Sequence, residues 1–219
     1  MPILALDTSM EYCSVALTSR DQFFAREALA PRQHAQLILT MIESVLAEAN
    51  MSLAELDALA FGGGPASFTG IRIAASCTQA IAFAHDLPVI RVSSLAAIAQ
   101  EILVSQQKNN VVVGIDAFMG EVYWGVYQNG GDGLVRALKQ DELYSPEKIH
   151  LPDGDWVGVG NAWDKYENLV KPKKIFPAKC VAESILSLAI KKYHAKDLLT
   201  AEQAIPVYLR GKDAWRKQL

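Results

Sequence analysis

A glycine-rich segment is the first stretch of this sequence whose residue types could do chemistry. Residues 60–72 read AFGGGPASFTGIR, so an apolar run leads into three glycines and a proline, and small apolar residues follow. This order predicts a strand, a tight loop and a helix, whose first N–H groups Ser67 or Thr69 would cap. A glycine loop at a helix start suits an anion. The spacing matches neither the dinucleotide fingerprint nor the P-loop, so a purely structural turn stays open.

An aspartate ends the first predicted strand of each half of the chain, Asp7 in one and Asp116 in the other. Asp7 precedes two hydroxyl residues, and such a group has the chemistry to orient water or a magnesium ion near a phosphate. The alternative is a simple turn held by hydrogen bonds from side chain to backbone. The residues that could contribute to a nucleotide site are Asp7, Thr8, Ser9, Gly64, Ser67, Asp116 and Gly120.

Two predicted helices, residues 32–49 and 70–84, carry more apolar surface than one lobe needs. Leu37 and Met41 widen the stripe of the first helix toward a second face, and the second helix is apolar almost all round. Its residues are mostly small, which lets another helix approach closely, and an uncovered patch of this kind usually marks an interface. The predicted partner-binding residues are His34, Leu37, Ile38, Met41, Arg72, Ala74, Cys77, Ala80 and Ile81.

Metal ligands are sparse in the sequence. His34 falls in the first turn of its helix, where a metal-binding helix would carry a second histidine one turn later, but that position is Ile38. The three cysteines, Cys13, Cys77 and Cys180, are far apart and form no Cys-x-x-Cys pair. Reduced thiols are therefore expected rather than a disulfide or zinc framework, and no metal site is predicted.

The composition excludes several classes of protein. Of the 219 residues 51% are hydrophobic, enough for a sizeable core. The net charge is −3 and no basic tract stands out, so this chain alone is not expected to hold nucleic acid by neutralising phosphates. Neither a signal peptide nor a membrane-spanning stretch is recognisable. We expect a cytoplasmic protein without a membrane partner.

The chain divides into two predicted domains at a polar patch, residues 106–110. Residues 1–108 read as β-β-β-α-β-α-β-α, and they carry both helices with excess apolar surface. Residues 109–219 form a second, smaller unit that opens in the same way. Its predicted elements are strands at 111–115, 121–127, 134–139 and 156–159, a helix at 182–193, and an extended piece at 206–210 that packs back on the domain.

Two halves that each open with a strand ending in aspartate resemble the two-lobed α/β fold of actin, sugar kinases and the Hsp70 ATPase, with a mixed sheet and helices in each lobe. In that superfamily the two aspartate turns hold magnesium and the phosphates of ATP between the lobes. Several blocks are more specific and together resemble the bacterial TsaB (YeaZ) family along nearly the whole chain. These blocks are ILALDTS at 3–9, CSVAL at 13–17, GPASFTGIRI at 64–73, DAFMGEVYW at 116–124 and PVYLR at 206–210. One departure is Ala66, where the family usually has glycine.

This resemblance implies a role in making threonylcarbamoyladenosine beside the anticodon of tRNAs that read codons beginning with adenine. In that pathway a synthase makes threonylcarbamoyl-AMP, and TsaD, a larger paralogue with a metal site, transfers the threonylcarbamoyl group to the tRNA. The resemblance implies that this chain binds TsaD as a non-catalytic scaffold, that the TsaE ATPase joins them, and that the chain forms a homodimer when TsaD is absent. It implies no cofactor of its own, with the metal in TsaD and ATP and magnesium brought by TsaE, and contact with tRNA only through the complex.

The residues themselves agree with a role other than catalysis. An ATPase needs glycines in its second phosphate turn so that backbone N–H groups reach the phosphates, and here Phe118 and Met119 precede Gly120. The nucleotide-site residues above are therefore predicted to be vestigial. The alternative is a small nucleotide-binding ATPase or kinase-like protein of the same fold that uses Asp7 and Asp116. A peptidase is not supported, since Ser67 has no evident histidine partner and the sequence has no His-Glu-x-x-His motif.

Overall fold

The computed structural model describes residues 1–20 and 22–210 and shows two lobes, each built on one mixed sheet. The first lobe contains, in chain order, β1 (Ile3–Asp7), β2 (Tyr12–Ser19), β3 (Gln22–Leu29), α1 (His34–Ala49), β4 (Ala58–Gly62), α2 (Phe68–His85), β5 (Val89–Val92) and α3 (Ser94–Gln106). The rest of the chain contains β6 (Asn110–Asp116), β7 (Val122–Asn129), β8 (Val135–Ala137), β9 (Glu142–Tyr144), β10 (Val157–Val159), α4 (Ala162–Lys165), β11 (Lys174–Phe176) and α5 (Ala182–His194). Short 3-10 turns lie at Leu53–Glu55, Pro146–Lys148 and Ala201–Gln203.

The two sheets repeat one plan. In the first, the strand order is β3-β2-β1-β4-β5, with an antiparallel meander of β1, β2 and β3 and parallel pairing of β1 with β4 and of β4 with β5. The second has the order β11-β10-β6-β7-β8, with β9 also paired to β7. Here β6 and β7 are antiparallel, whereas β10 lies parallel to both β6 and β11. This confirms the predicted two-lobed α/β fold.

Side-chain burial follows from this layering. All five residues of the central strand β1 are buried, because α1 and α2 cover one face of the first sheet and α3 and α5 cover the other. The predicted boundary near residue 108 separates the two sheets, but α5 crosses back onto the first lobe. Its first N–H, that of Ala182, donates to Ser14 Oγ of β2 at 2.9 Å. One core thus runs between the lobes.

Local signals explain where the helices begin. Ser67 caps α2 by accepting a bond from the Gly70 N–H at 3.4 Å, as the hydroxyl at that position predicts, and Ser93 caps α3 by accepting from Ala96 N–H. The three-residue strands β9 and β11 and the short helix α4 were missed, since three or four residues carry no readable period. No helix among residues 1–20 and 22–210 is long and apolar enough to cross a membrane.

Candidate functional site

The turn after β1 is closed around Asp7. The Ser9 N–H and hydroxyl both donate to Asp7 Oδ1 at 3.0 Å, and Asp7 Oδ2 has no hydrogen-bond partner among the described residues. Gly62 lies directly against that oxygen, since a Cβ on Gly62 would be 2.0 Å from it. Burial raises the pKa of Asp7 to about 6, although the bonds from Ser9 oppose this. Asp7 therefore faces protein on all sides and binds its proton more tightly than an exposed aspartate does.

The start of α2 is bonded to the same turn. Thr8 Oγ1 donates to the Gly70 carbonyl at 2.7 Å and accepts from Ala74 N–H at 3.1 Å, while Ser67 N–H donates to the Ser9 carbonyl at 3.1 Å. Only glycine fits at position 70, where a Cβ would lie 2.1 Å from the Thr8 carbonyl oxygen. The N–H groups of Ser67 and Gly70 are thus engaged within the chain at the place where an anion would bind.

Gly64, another residue of the predicted nucleotide site, is bonded to a different element. Its N–H donates to Ser94 Oγ at 3.1 Å and its carbonyl accepts from Ser94 N–H at 3.0 Å, so the loop is fastened to the start of α3. Its φ of 88° is in the left-handed region that favours glycine. The structure therefore brings Asp7, Thr8, Ser9 and Ser67 into one cluster and places Gly64 on the neighbouring loop.

The turn after β6 holds a cation from the chain itself. Lys165 Nζ lies 2.5 Å from Asp116 Oδ2, and Asp116 Oδ1 accepts from Tyr166 OH at 2.7 Å and from Phe118 N–H at 3.0 Å. Burial would raise the pKa of Asp116, but these bonds, Lys165 first, outweigh it and lower the pKa. The carboxylate is ionised, and an ammonium group neutralises it where a nucleotide's metal ion would be expected.

A C-terminal segment, Val207–Arg210, links the glycine loop and the start of α2 to the turn after β6. Val207 N–H donates to the Gly63 carbonyl at 2.8 Å, and Tyr208 OH accepts from Arg72 Nε at 2.9 Å. The Arg210 guanidinium donates to the carbonyls of Ala117 at 3.0 Å and Phe118 at 3.1 Å and to Glu121 Oε2 at 2.5 Å. Residues 206–210 pack back on the protein as predicted, but Val207 and Tyr208 contact the first lobe and only Arg210 contacts the second. Residues 211–219 lie outside the described part of the chain.

Sequence reasoning missed Lys165 and Arg210. Lys165 lies 49 positions from Asp116, and Arg210 lies 89 positions from Glu121, so no local motif connects either pair. The PVYLR block was the only available signal, and it gave no role for its arginine. Gly120, at a φ of 77°, sits in the same turn, and a Cβ there would meet nothing within 4 Å.

A second candidate site is the outer face of α1 and α2. Of the residues predicted to bind a partner, Leu37, Met41, Cys77 and Ile81 are half-buried, and Arg72 and Ala80 are exposed. The prediction is wrong for Ile38 and Ala74, whose side chains are 1% and 0% exposed in the core of the first lobe. Both residues point at the sheet, because the apolar stripe of each helix is used first to cover its own lobe.

The structure adds residues that the sequence stripe did not single out. Phe83 is 75% exposed and lies three residues after Ala80, so it adds to the outer face of α2, whereas Leu39 is 55% exposed on the side of α1 away from Leu37 and Met41. His34 is half-buried at the start of α1, and its Nε2 atom is buried without a hydrogen-bond partner among the described residues. No group of three or more histidine, cysteine or carboxylate side chains in the described residues is arranged to hold a metal ion.

Comparison with known proteins identifies the family. The family model described as TsaD, tRNA N6-adenosine threonylcarbamoyltransferase, matches residues 27–214. The tRNA threonylcarbamoyladenosine biosynthesis protein TsaB of Escherichia coli is 38% identical over an alignment that covers 99% of this chain and 98% of that protein. The chain belongs to the TsaB (YeaZ) family. Its Haemophilus influenzae relative of the same name is 37% identical, with 99% of this chain and 97% of that protein covered.

A solved structure of the TsaB (YeaZ) family has the same fold. YeaZ from Pseudomonas aeruginosa superposes with a TM-score of 0.90 at 41% identity, covering 95% of this chain and 99% of that one. The likeness therefore extends through both sheets and is not confined to the motif blocks.

Proposed function

We propose that this TsaB family member acts in the biosynthesis of threonylcarbamoyladenosine in tRNA, as a non-catalytic scaffold and activator of TsaD. TsaD would transfer the threonylcarbamoyl group from threonylcarbamoyl-AMP to the adenosine beside the anticodon, and this chain would bind TsaD and support that transfer. The relatives named as TsaB biosynthesis proteins support the pathway. The observation that carries the scaffold role is the apolar outer face of α1 and α2.

That face is suited to pair with helices of another chain. Half-buried Leu37, Met41 and Ile81 contribute apolar surface to this face, and exposed Phe83 adds to it on α2, so covering them would remove several large apolar side chains from water. Each such side chain contributes about 1.5–3 kcal/mol when it is fully buried. Ala80 between them is small and exposed, which allows a partner helix to approach closely. In the absence of TsaD, the same face would pair with a second copy of this chain.

The two turns expected to hold a nucleotide support the non-catalytic part of the proposal. In the turn after β6, Lys165 neutralises Asp116 and Arg210 binds the carbonyls of Ala117 and Phe118. Two side-chain cations therefore occupy the region in which a metal ion and phosphates would have to bind. The start of α2 is bonded to the Thr8–Ser9 turn. ATP and magnesium would enter the complex through TsaE and the metal through TsaD, and this chain would meet tRNA only within the complex.

The test is threonylcarbamoyl transfer to tRNA by purified TsaD, TsaE and the synthase, with and without this chain. We expect no transfer without the chain and normal transfer with the Asp7→Asn variant. With the Ala80→Glu variant we expect both binding to TsaD and transfer to be lost. Ala195→Glu is a matched control, because Ala195 is exposed after α5 on the opposite side of the first sheet. Full activity with Ala80→Glu would refute the helical interface.

Calorimetry of the isolated chain with Mg-ATP distinguishes the scaffold hypothesis from the alternative hypothesis of a nucleotide-binding ATPase. Micromolar binding that disappears with Asp7→Asn would restore the enzyme hypothesis. We expect no heat at millimolar nucleotide, because Lys165 and Arg210 already occupy the second turn.

A further inference from the structure

The turn between β6 and β7 has an unusual backbone. Phe118 and Met119 have φ values of 60° and 55°, so two consecutive large residues adopt the left-handed conformation, followed by Gly120 at 77°. This conformation is unfavourable for L-residues because Cβ crowds the following carbonyl oxygen. Turns of this kind are normally built from asparagine and glycine, which adopt it readily. Here the fold tolerates strain at two adjacent positions where a polar pair would remove it.

The strained turn displays its side chains outward. Phe118 is 68% exposed and Met119 is 46% exposed. The strained backbone is therefore not compensated by burial of these two side chains within the chain. The turn is nevertheless held firmly, since Arg210 donates to the carbonyls of Ala117 and Phe118 and Lys165 Nζ lies 5.0 Å from the centre of the Phe118 ring. A fixed pair of exposed apolar side chains is preorganised for insertion into a pocket, because little conformational freedom remains to be lost on binding.

The turn continues into the outer face of α2. Arg210 contacts Met119 Sδ at 3.3 Å, and two residues earlier Tyr208 accepts the hydrogen bond from Arg72 of α2. The Arg72 guanidinium also lies 3.6 Å from the centre of the Phe68 ring. Among the described residues no carboxylate forms an ion pair with Arg72, whereas Asp116 and Glu121 are already paired with Lys165 and Arg210. The surface between α2 and the turn is therefore apolar with an uncompensated positive charge.

We propose that the Phe118–Met119 turn is a second docking point for the partner that covers α1 and α2, which places a contact on the second lobe as well as on the first. The inference rests on the proposed function, so the occupant is TsaD. Its complementary surface has an apolar pocket that receives the two side chains and at least one carboxylate facing Arg72. Two separate contacts, one on each lobe, restrict the orientation of the partner relative to this chain. A single helix–helix contact would restrict that orientation less.

The decisive variant is Phe118→Asn with Met119→Gly, which replaces the strained pair by residues suited to the turn. We expect Tm to rise by about 2–4 °C as the left-handed strain is relieved. Calorimetry with TsaD from the source organism is expected to show an affinity at least tenfold weaker than wild type. A gain in stability with a loss of affinity separates docking from a structural role, because damage to the fold would lower both.

Two further variants complete the experiment. Val104→Ser removes a 65% exposed apolar side chain from α3, on the opposite side of the first sheet, and is expected to bind TsaD like wild type. Arg72→Glu is expected to weaken binding and to make it less sensitive to salt, since it removes the charge attraction. Wild-type affinity in the Asn-Gly variant would overturn this inference alone. Failure of the wild-type chain to bind TsaD would overturn the proposed function and this inference together.

Discussion

Asp7 and Asp116 end corresponding strands of the two lobes, and their surroundings shift their pKa values in opposite directions. Asp7 is fully buried, and the loss of solvation outweighs the hydrogen bonds that its carboxyl accepts from Ser9, so the charged form is disfavoured. Asp116 is bonded by a lysine, a tyrosine and a backbone N–H, so the charged form is favoured. The same residue type thus provides a buried acid in one lobe and an anchoring anion in the other.

Asp7 makes stability depend on pH. With a pKa near 6 in the folded state and 3.8 as the ordinary value, the folded chain binds this proton more tightly than the unfolded chain. Its contribution to stability is therefore present below pH 4 and lost as the pH rises through 6. Relative to Asp7→Asn, which cannot ionise, the free energy of unfolding of the wild type should fall by about 2 kcal/mol between pH 4 and pH 8. Urea melts of both proteins across this range measure it, and parallel pH profiles would contradict the assignment.

At the scale of elements, one side of helix α2 packs against the sheet of the first lobe and the other side is exposed. Thr8 and Ser9 fix its first turn, and Ala74 sits one turn later against the sheet. The small residues that permit this close packing recur on the outer side at Ala80, which is exposed. Small residues therefore allow close packing against the sheet on one side of α2 and close approach of a partner on the other. Only the direction of each side chain shows which of these roles a residue has.

Gly70→Ala tests the seating of α2. In an ordinary helix this change stabilises by about 1 kcal/mol, because alanine loses less backbone entropy than glycine. Here the new Cβ would lie 2.1 Å from the Thr8 carbonyl oxygen, and backbone cannot yield as a flexible side chain can. We expect the free energy of unfolding to fall by about 1–3 kcal/mol instead. Denaturant titration decides the sign, and an increase would show that the helix start can shift.

The pair Ala74→Glu and Ala80→Glu tests which side of α2 is free. A glutamate at position 74 would be buried without a partner, so we expect a loss of at least about 3 kcal/mol. At exposed position 80 the same change is expected to stay within about 0.5 kcal/mol. Thermal and urea unfolding compare the two, and a comparable loss at both positions would place Ala80 in the core rather than on the partner face.

At the scale of the whole molecule, the lobes are joined by a shared core and by the returning C-terminal segment. The helices α3 and α5 pack between the sheets, and Val207–Arg210 links the glycine loop to the turn after β6. In an ATPase of this fold the nucleotide itself bridges the two lobes. Here residues of the chain make that bridge, which would hold the relative position of the lobes constant for a partner that contacts both.

Arg210→Ala is expected to loosen this bridge. It removes charge-assisted bonds to Glu121 and bonds to two carbonyls, together about 1.5–3 kcal/mol of local stability. Hydrogen exchange of the Glu121 and Val207 amides should accelerate at least about tenfold. Arg26→Ala is the matched control, because Arg26 pairs with Glu48 on the surface of the first lobe. Unchanged exchange at Val207 would show that the segment is held independently of its arginine.

Much of the fold could be read from the sequence by itself. Strand and helix patterns, the hydroxyl cap at Ser67 and the glycine loop depend on neighbours a few residues apart, where periodicity and backbone preference act. The motif blocks likewise identified the family, because each is a short stretch read in order. The excess apolar surface of α1 and α2 was also visible, since it is a property of composition along one helix.

Only the tertiary structure decided how those elements are used. Lys165 and Arg210 come from distant positions to fill the second turn, and Ile38 and Ala74 turn inward while Leu39 and Phe83 turn outward. The left-handed backbone at Phe118 and Met119 was equally invisible in the sequence, because nothing in either residue type favours it. Ion pairs, side-chain direction and strain depend on which surfaces meet, and these surfaces exist only after the two lobes have packed together.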